Sequence, residues 1–63
     1  MKAWLQAKRQ EEGLSTYQAA ERAGIAQSYY AMIESGERSP RVDVARRLGS
    51  VMGFDWRRLY GGR

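Results

Sequence analysis

Sixty-three residues allow one domain, and at that size folding hides only about 60% of the surface an unfolded chain exposes. The chain has no Cys and no His, which excludes a disulfide framework and a zinc staple and leaves apolar packing to hold the fold. With 43% apolar residues, no run of about 18 of them and no apolar leader after Met1, the expectation is a soluble globular protein with the cytoplasm as default compartment, not a membrane or secreted one.

The formal charge of +4 is unevenly distributed. Residues 1–37 carry Lys2, Lys8, Arg9 and Arg22 against Glu11, Glu12, Glu21, Glu34 and Glu37, a balance of −1. Residues 38–63 carry Arg38, Arg41, Arg46, Arg47, Arg57, Arg58 and Arg63 against Asp43 and Asp55, a balance of +5. A basic half of this kind suits a polyanion, because each neutralised phosphate releases condensed counterions.

Helical spacing recurs along the chain and no stretch alternates long enough for a strand, so the fold class is all-α, a compact bundle of about five short helices. The first helix is expected over 2–12, with Met1, Leu5 and the stem of Lys8 or Arg9 on one face and Gly13 as its stop. Leu14 enters the core, and Ser15 caps a second helix over 16–23 that presents Ala19, Ala20 and Ala23 on one side. Gly24 ends it. A third helix over 27–35 turns Tyr30 and Ile33 inward and stops at Gly36. Ser39-Pro40 marks a loop, since the proline ring pushes its neighbour out of the α region. A fourth helix over 42–52 places Val42, Ala45, Leu48, Val51 and Met52 on one stripe, with Gly53 after it. Asp55 caps a last helix over 56–60, with Trp56, Leu59 and Tyr60 available for burial. The domain thus spans 1–60, and 61–63 is expected to be a flexible tail.

The informative stretch is Ser15 to Gly36, a helix, a sharp turn and a second helix. Ala20 is small enough for the two helices to cross closely, and Gly24 turns the chain in few residues. Ile25, Tyr30 and Ile33 pin the second helix, which leaves Ala26, Gln27, Ser28, Ala31 and Met32 facing outward. An amide such as that of Gln27 can bond bidentately to the major-groove edge of adenine, and the short apolar groups can touch thymine methyls. Thr16 heads the preceding helix, where backbone N–H groups and the helix dipole favour a phosphate oxygen.

The order and spacing of G-L-S at Gly13 to Ser15, A-x-x-x-G at Ala20 to Gly24, S-Y at Ser28-Tyr29, I-E-S-G at Ile33 to Gly36 and the Pro40 loop resemble the phage lambda repressor and Cro family of helix-turn-helix domains. The resemblance runs from about Lys2 to Tyr60. It implies a five-helix bundle whose third helix enters the DNA major groove while the second lies across the backbone. On this resemblance Ala26, Gln27, Ser28, Ala31 and Met32 contact bases. Thr16, Tyr29, Ser35, Arg38, Ser39 and Arg41 contact phosphates. Arg9 and Glu34 match positions at which related domains pair an Arg of the first helix with a Glu ending the third, a bidentate tie to the reading helix. Several positions depart from the family. Ala19, Ala23 and Ala45 stand where Leu is commoner, Tyr30 and Trp56 where Ile and Leu are, so larger aromatics are expected to fill the volume the alanines vacate. Arg41 stands where Ser often caps the fourth helix. Ala31 and Met32 replace longer polar groups, which leaves specificity to Gln27 and to DNA shape.

The implied function is a sequence-specific transcriptional regulator, a repressor occupying a palindromic operator as a homodimer. Two alternatives are an antitoxin-type protein-interaction module, using a Trp4 or Tyr60 patch and the basic fifth helix, and the reading head of a longer repressor. Scattered carboxylates, no His or Cys and no Gly-rich phosphate loop argue against an enzyme, and no cofactor, metal or small-molecule substrate is expected.

Overall fold

A computed structural model describes residues 2–61. They form five helices: α1 (Ala3–Glu11), α2 (Thr16–Ala23), α3 (Gln27–Ser35), α4 (Val42–Met52) and α5 (Arg58–Gly61). Among the described residues there is no strand, and no helix is long and apolar enough to cross a membrane. Met1, placed above on the inner face of the first helix, lies outside the described residues, as do Gly62 and Arg63 of the expected tail.

Local chemistry explains the boundaries. Ser15 begins α2 with a complete capping box: its hydroxyl accepts from the Gln18 amide at 3.1 Å while the Gln18 side chain accepts from the Ser15 amide at 2.9 Å. At the other end Gly24 takes φ +72°, a left-handed turn that a side chain would strain, and the Ile25 amide reaches back to the Ala20 carbonyl at 3.0 Å. α3 follows after only two more residues. Arg41 is the residue before α4 and supplies no side-chain cap; Asp43 in the first turn provides the favourable negative charge.

The core runs through all five helices. Leu5, Leu14, Ala19, Ala20, Ala23, Tyr30, Ile33, Val44, Ala45, Leu48, Met52 and Leu59 are buried, and Tyr30 is the largest fully buried side chain. The alanines of α2 let it lie close to both α3 and α4, and Tyr30 is buried in the same cluster. Trp56 is half-buried against the same cluster.

Three expectations change. The inner stripe of α4 is Val44, Ala45, Leu48, Gly49 and Met52, while Val42 is 52% exposed. At 100° per residue Val42 falls about a quarter-turn off the centre of that stripe. Gly49 belongs to it because the 54–56 segment crosses there: a Cβ on Gly49 would lie 2.6 Å from the Phe54 carbonyl oxygen. The last helix is shorter and later than 56–60. Asp55 Oδ1 accepts from the Arg57 amide at 3.0 Å, so Trp56 and Arg57 form a turn, α5 starts at Arg58, and Gly61, expected in the tail, is its last residue. Leu59 is buried as expected, but Tyr60 stays 42% exposed.

Candidate nucleic-acid interface

α3 has two unlike sides. Tyr30, Ile33 and Glu34 are buried, whereas Gln27, Ser28 and Ala31 are exposed, as is Ala26 just before them, and Met32 is half-buried between. The outer side therefore offers three methyl-bearing apolar groups, one amide and one hydroxyl along about two turns of helix. The amide is already oriented: Gln27 Nε2 donates to Thr16 Oγ1 at 2.9 Å. That bond uses one amide hydrogen and leaves Oε1 and the second N–H for a partner, the acceptor and donor pair that an adenine edge complements. It also ties the head of α2 to the head of α3.

The segment after α3 carries positive charge beside this face. Arg38, Ser39 and Arg41 are exposed, and the guanidinium of Arg38 lies 5.8 Å from the centre of the Tyr29 ring. The hydroxyl of Tyr29 accepts from the Arg41 amide at 3.3 Å, while the hydroxyl of Tyr60 donates to the Pro40 carbonyl. Ser35 is turned inward: its hydroxyl donates to the Met32 carbonyl at 3.1 Å and accepts from the Glu37 amide at 3.4 Å, so in the free protein it shapes the turn that leads to Arg38. Arg41 sits 3.8 Å from Asp43, an exposed pair that a phosphate can compete for.

Behind α3, Arg9 and Glu34 meet. Arg9 Nε donates to Glu34 Oε2 at 3.0 Å and Nη2 to Oε1 at 3.3 Å, with side chains only 11% and 10% exposed. A third donor joins them, the Tyr30 hydroxyl at 2.7 Å from Oε2, and Arg9 Nη1 reaches the Leu14 carbonyl at 2.8 Å. The hydrogen bond to Glu34 holds the Arg9 pKa above its ordinary value against the opposing effect of burial. Burial, reinforced by the bond to Glu34, pushes the Tyr30 phenol well above the usual tyrosine range. The Glu34 carbonyl also accepts from the Lys2 amide at 2.8 Å. One residue thus fastens both ends of α1 to the base of α3. The participation of Tyr30 escaped the sequence reading, which assigned it to the core alone. Its position four residues before Glu34, on the same helical face, was the available signal.

Arg46, Arg47, Arg57 and Arg58 are bonded or stacked. Arg47 donates to the Ala23 carbonyl at 3.2 Å, at the C-terminal end of α2, and lies 3.5 Å from Asp43. Arg46 and Arg57 lie over Trp56, and Arg58 lies 4.2 Å over Trp4, which itself meets Phe54 edge-on. Trp4 is half-buried by these neighbours and is not an open apolar patch. The Asp55 carboxyl is held below its ordinary pKa by its bonds to Arg57.

A tight α2–turn–α3 pair with a free outer face on its second helix and a basic segment beside it is the architecture of a DNA-binding helix-turn-helix domain. Residues 5–59 match the helix-turn-helix family, and the chain belongs to its lambda repressor and Cro branch. Among curated proteins it is 43% identical over 56 residues to YqaF of Bacillus subtilis (strain 168), an uncharacterized HTH-type transcriptional regulator; the match covers 89% of this chain and 74% of that protein. No solved structure matches the chain significantly.

Proposed function

We propose that the protein regulates transcription by seating α3 in the major groove of an operator, one protomer on each half of a palindromic site. In this reading Gln27 reads adenine, Ser28 a neighbouring base edge, and Ala26, Ala31 and Met32 thymine methyls. Thr16, Tyr29, Arg38, Ser39 and Arg41 take the flanking phosphates, and Ser35 holds the turn between them. The observation that carries the reading is the outer face of α3, with the Gln27 amide held by Thr16 and its remaining donor and acceptor open. Repression follows from occupancy, since the bound domain excludes other proteins from the site. Two half-sites one helical turn apart, about 34 Å, are needed because a single domain of this size covers little DNA. A homodimer on DNA supplies the second half, and cytoplasmic residence goes with this role.

Selection of bound sequences from a random duplex pool tests the proposal. The expected product is an inverted repeat, bound by two protomers in sedimentation or native mass measurements. Gln27→Ala should then reduce preference for the selected site by about 1–3 kcal/mol per half-site and leave binding to scrambled duplex unchanged. An unchanged ratio of selected to scrambled affinity would remove Gln27 from the reading role, and a complex of one protomer per selected duplex would remove the dimer.

A further inference from the structure

The C=O of Pro40 and the N–H of Arg41 belong to one peptide group, and each is held by a different tyrosine. Tyr60 of α5 donates to the carbonyl, and Tyr29 of α3 accepts from the N–H at 3.3 Å. Pro40 itself is buried, so this peptide is fixed on its third side as well. Arg38 stacks over the Tyr29 ring on one flank and Arg41, with ψ 157°, leads directly into α4 on the other. A Tyr29 hydroxyl that accepts from the backbone keeps its own hydrogen available to donate, as the phosphate reading requires.

We propose that Tyr60 is a positioning residue for DNA binding: by holding the Pro40–Arg41 peptide against the Tyr29 hydroxyl, it fixes Tyr29, Arg38 and Arg41 in the geometry that meets the phosphate backbone. Tyr60 touches no DNA in this arrangement. It acts through the peptide, and it makes the phosphate-binding loop depend on α5. The inference rests on the phosphate assignments made above. Preorganisation is the physical basis: a loop held in place before binding loses less conformational freedom when it binds.

The test uses Tyr60→Phe, which keeps the ring against Trp56 and removes only the hydroxyl, with Tyr29→Phe, the double variant, Arg38→Ala and Arg41→Ala alongside. Binding to a labelled duplex of scrambled sequence is followed by anisotropy over a range of KCl concentrations. Tyr60→Phe should weaken binding about threefold to tenfold, the effect of one hydrogen bond, equally for selected and scrambled duplexes. Its log affinity should fall less steeply with log salt, by up to about one phosphate contact. Because both tyrosines act on one peptide, the double variant should lose less than the product of the single losses. Exchange of the Arg41 amide hydrogen in the DNA-free protein should quicken in Tyr60→Phe, a readout independent of binding. If Arg38→Ala and Arg41→Ala weaken binding while Tyr60→Phe matches the parent in affinity and salt slope, the positioning role is overturned and the phosphate reading survives. If neither arginine variant weakens binding, the phosphate reading fails and the inference fails with it.

Discussion

Removing the Glu34 carboxylate tests how the scaffold holds α3. In Glu34→Ala, Arg9 loses both its bonds to the carboxylate and Tyr30 loses its only acceptor, leaving a guanidinium and a phenol largely buried with the Leu14 carbonyl as the one remaining partner. Breaking a buried pair by deleting one member costs about 3–5 kcal/mol. With side chains still 11% and 10% exposed, Arg9 and Glu34 belong near the low end of that range, so a loss of roughly 3 kcal/mol is expected. A chain of this length has a total stability of roughly 3–9 kcal/mol, so the loss is a large share of it. At about 4–8 °C per kcal/mol, the melting midpoint should fall by roughly 12 °C or more. Helical circular dichroism against temperature and urea measures it directly. The control is the double replacement Arg9→Met with Glu34→Leu, which removes the charges together and should recover the part of the loss due to the unpaired guanidinium, while the Tyr30 hydroxyl and the Leu14 carbonyl stay without their partners. A Glu34→Ala midpoint within about 2 °C of the parent would show that water, not Arg9 and Tyr30, satisfies the carboxylate, and the argument from burial would be wrong.

Three further outcomes follow from separate features. Gly49→Ala would place a Cβ 2.6 Å from the Phe54 carbonyl, so it should destabilise by about 1–3 kcal/mol despite the helix propensity of Ala; a more stable variant in urea would show that the crossing is loose. Raising the pH above about 10 should destabilise the parent, because the unfolded chain releases the Tyr30 proton near the ordinary phenol value while the folded chain retains it. The melting midpoint of Tyr30→Phe, lower at neutral pH for loss of the Glu34 bond, should decline less between pH 9 and about 11.5, and parallel declines would refute the assignment. Affinity for scrambled duplex should fall with salt with a slope near −0.9 per neutralised phosphate, about −2 for one protomer using Arg38 and Arg41; a flat plot would remove both from the interface.

Helices α2, α3 and α4 are legible in the sequence to the residue because their ends are written in local chemistry: Ser15 caps, and Gly24, Gly36 and Gly53 each follow a last turn and take left-handed φ. α1 runs one residue shorter at each end, where Lys2 and Glu12 provide no side-chain stop. Asp55 signals a turn as readily as a cap, and here the bond to the Arg57 amide delays α5. Val42 was assigned inward on hydropathy, but the phase of α4 is set by what crosses it, above all the 54–56 segment at Gly49. In the candidate site, the outer residues of α3 follow from period and resemblance. The bonds that orient them do not: Gln27 with Thr16, Tyr29 with Arg41 and Tyr60 with Pro40 join residues eleven to twenty positions apart, and only tertiary packing brings them together.

The two-sidedness of α3 bears on how such a protein acquires new targets. Its anchoring residues, Tyr30, Ile33 and Glu34, are buried while Gln27, Ser28 and Ala31 face outward, so under the proposed function substitutions on the outer side would alter the sequence recognised without touching the buried contacts. On that proposal, specificity and foldedness would be separately heritable along the nine residues of one helix. Gln27 is bonded to Thr16, and a change there is best accompanied by one at Thr16. Under the proposed function, a library varied at the exposed positions 26, 27, 28 and 31 would sample operators at little risk to the fold.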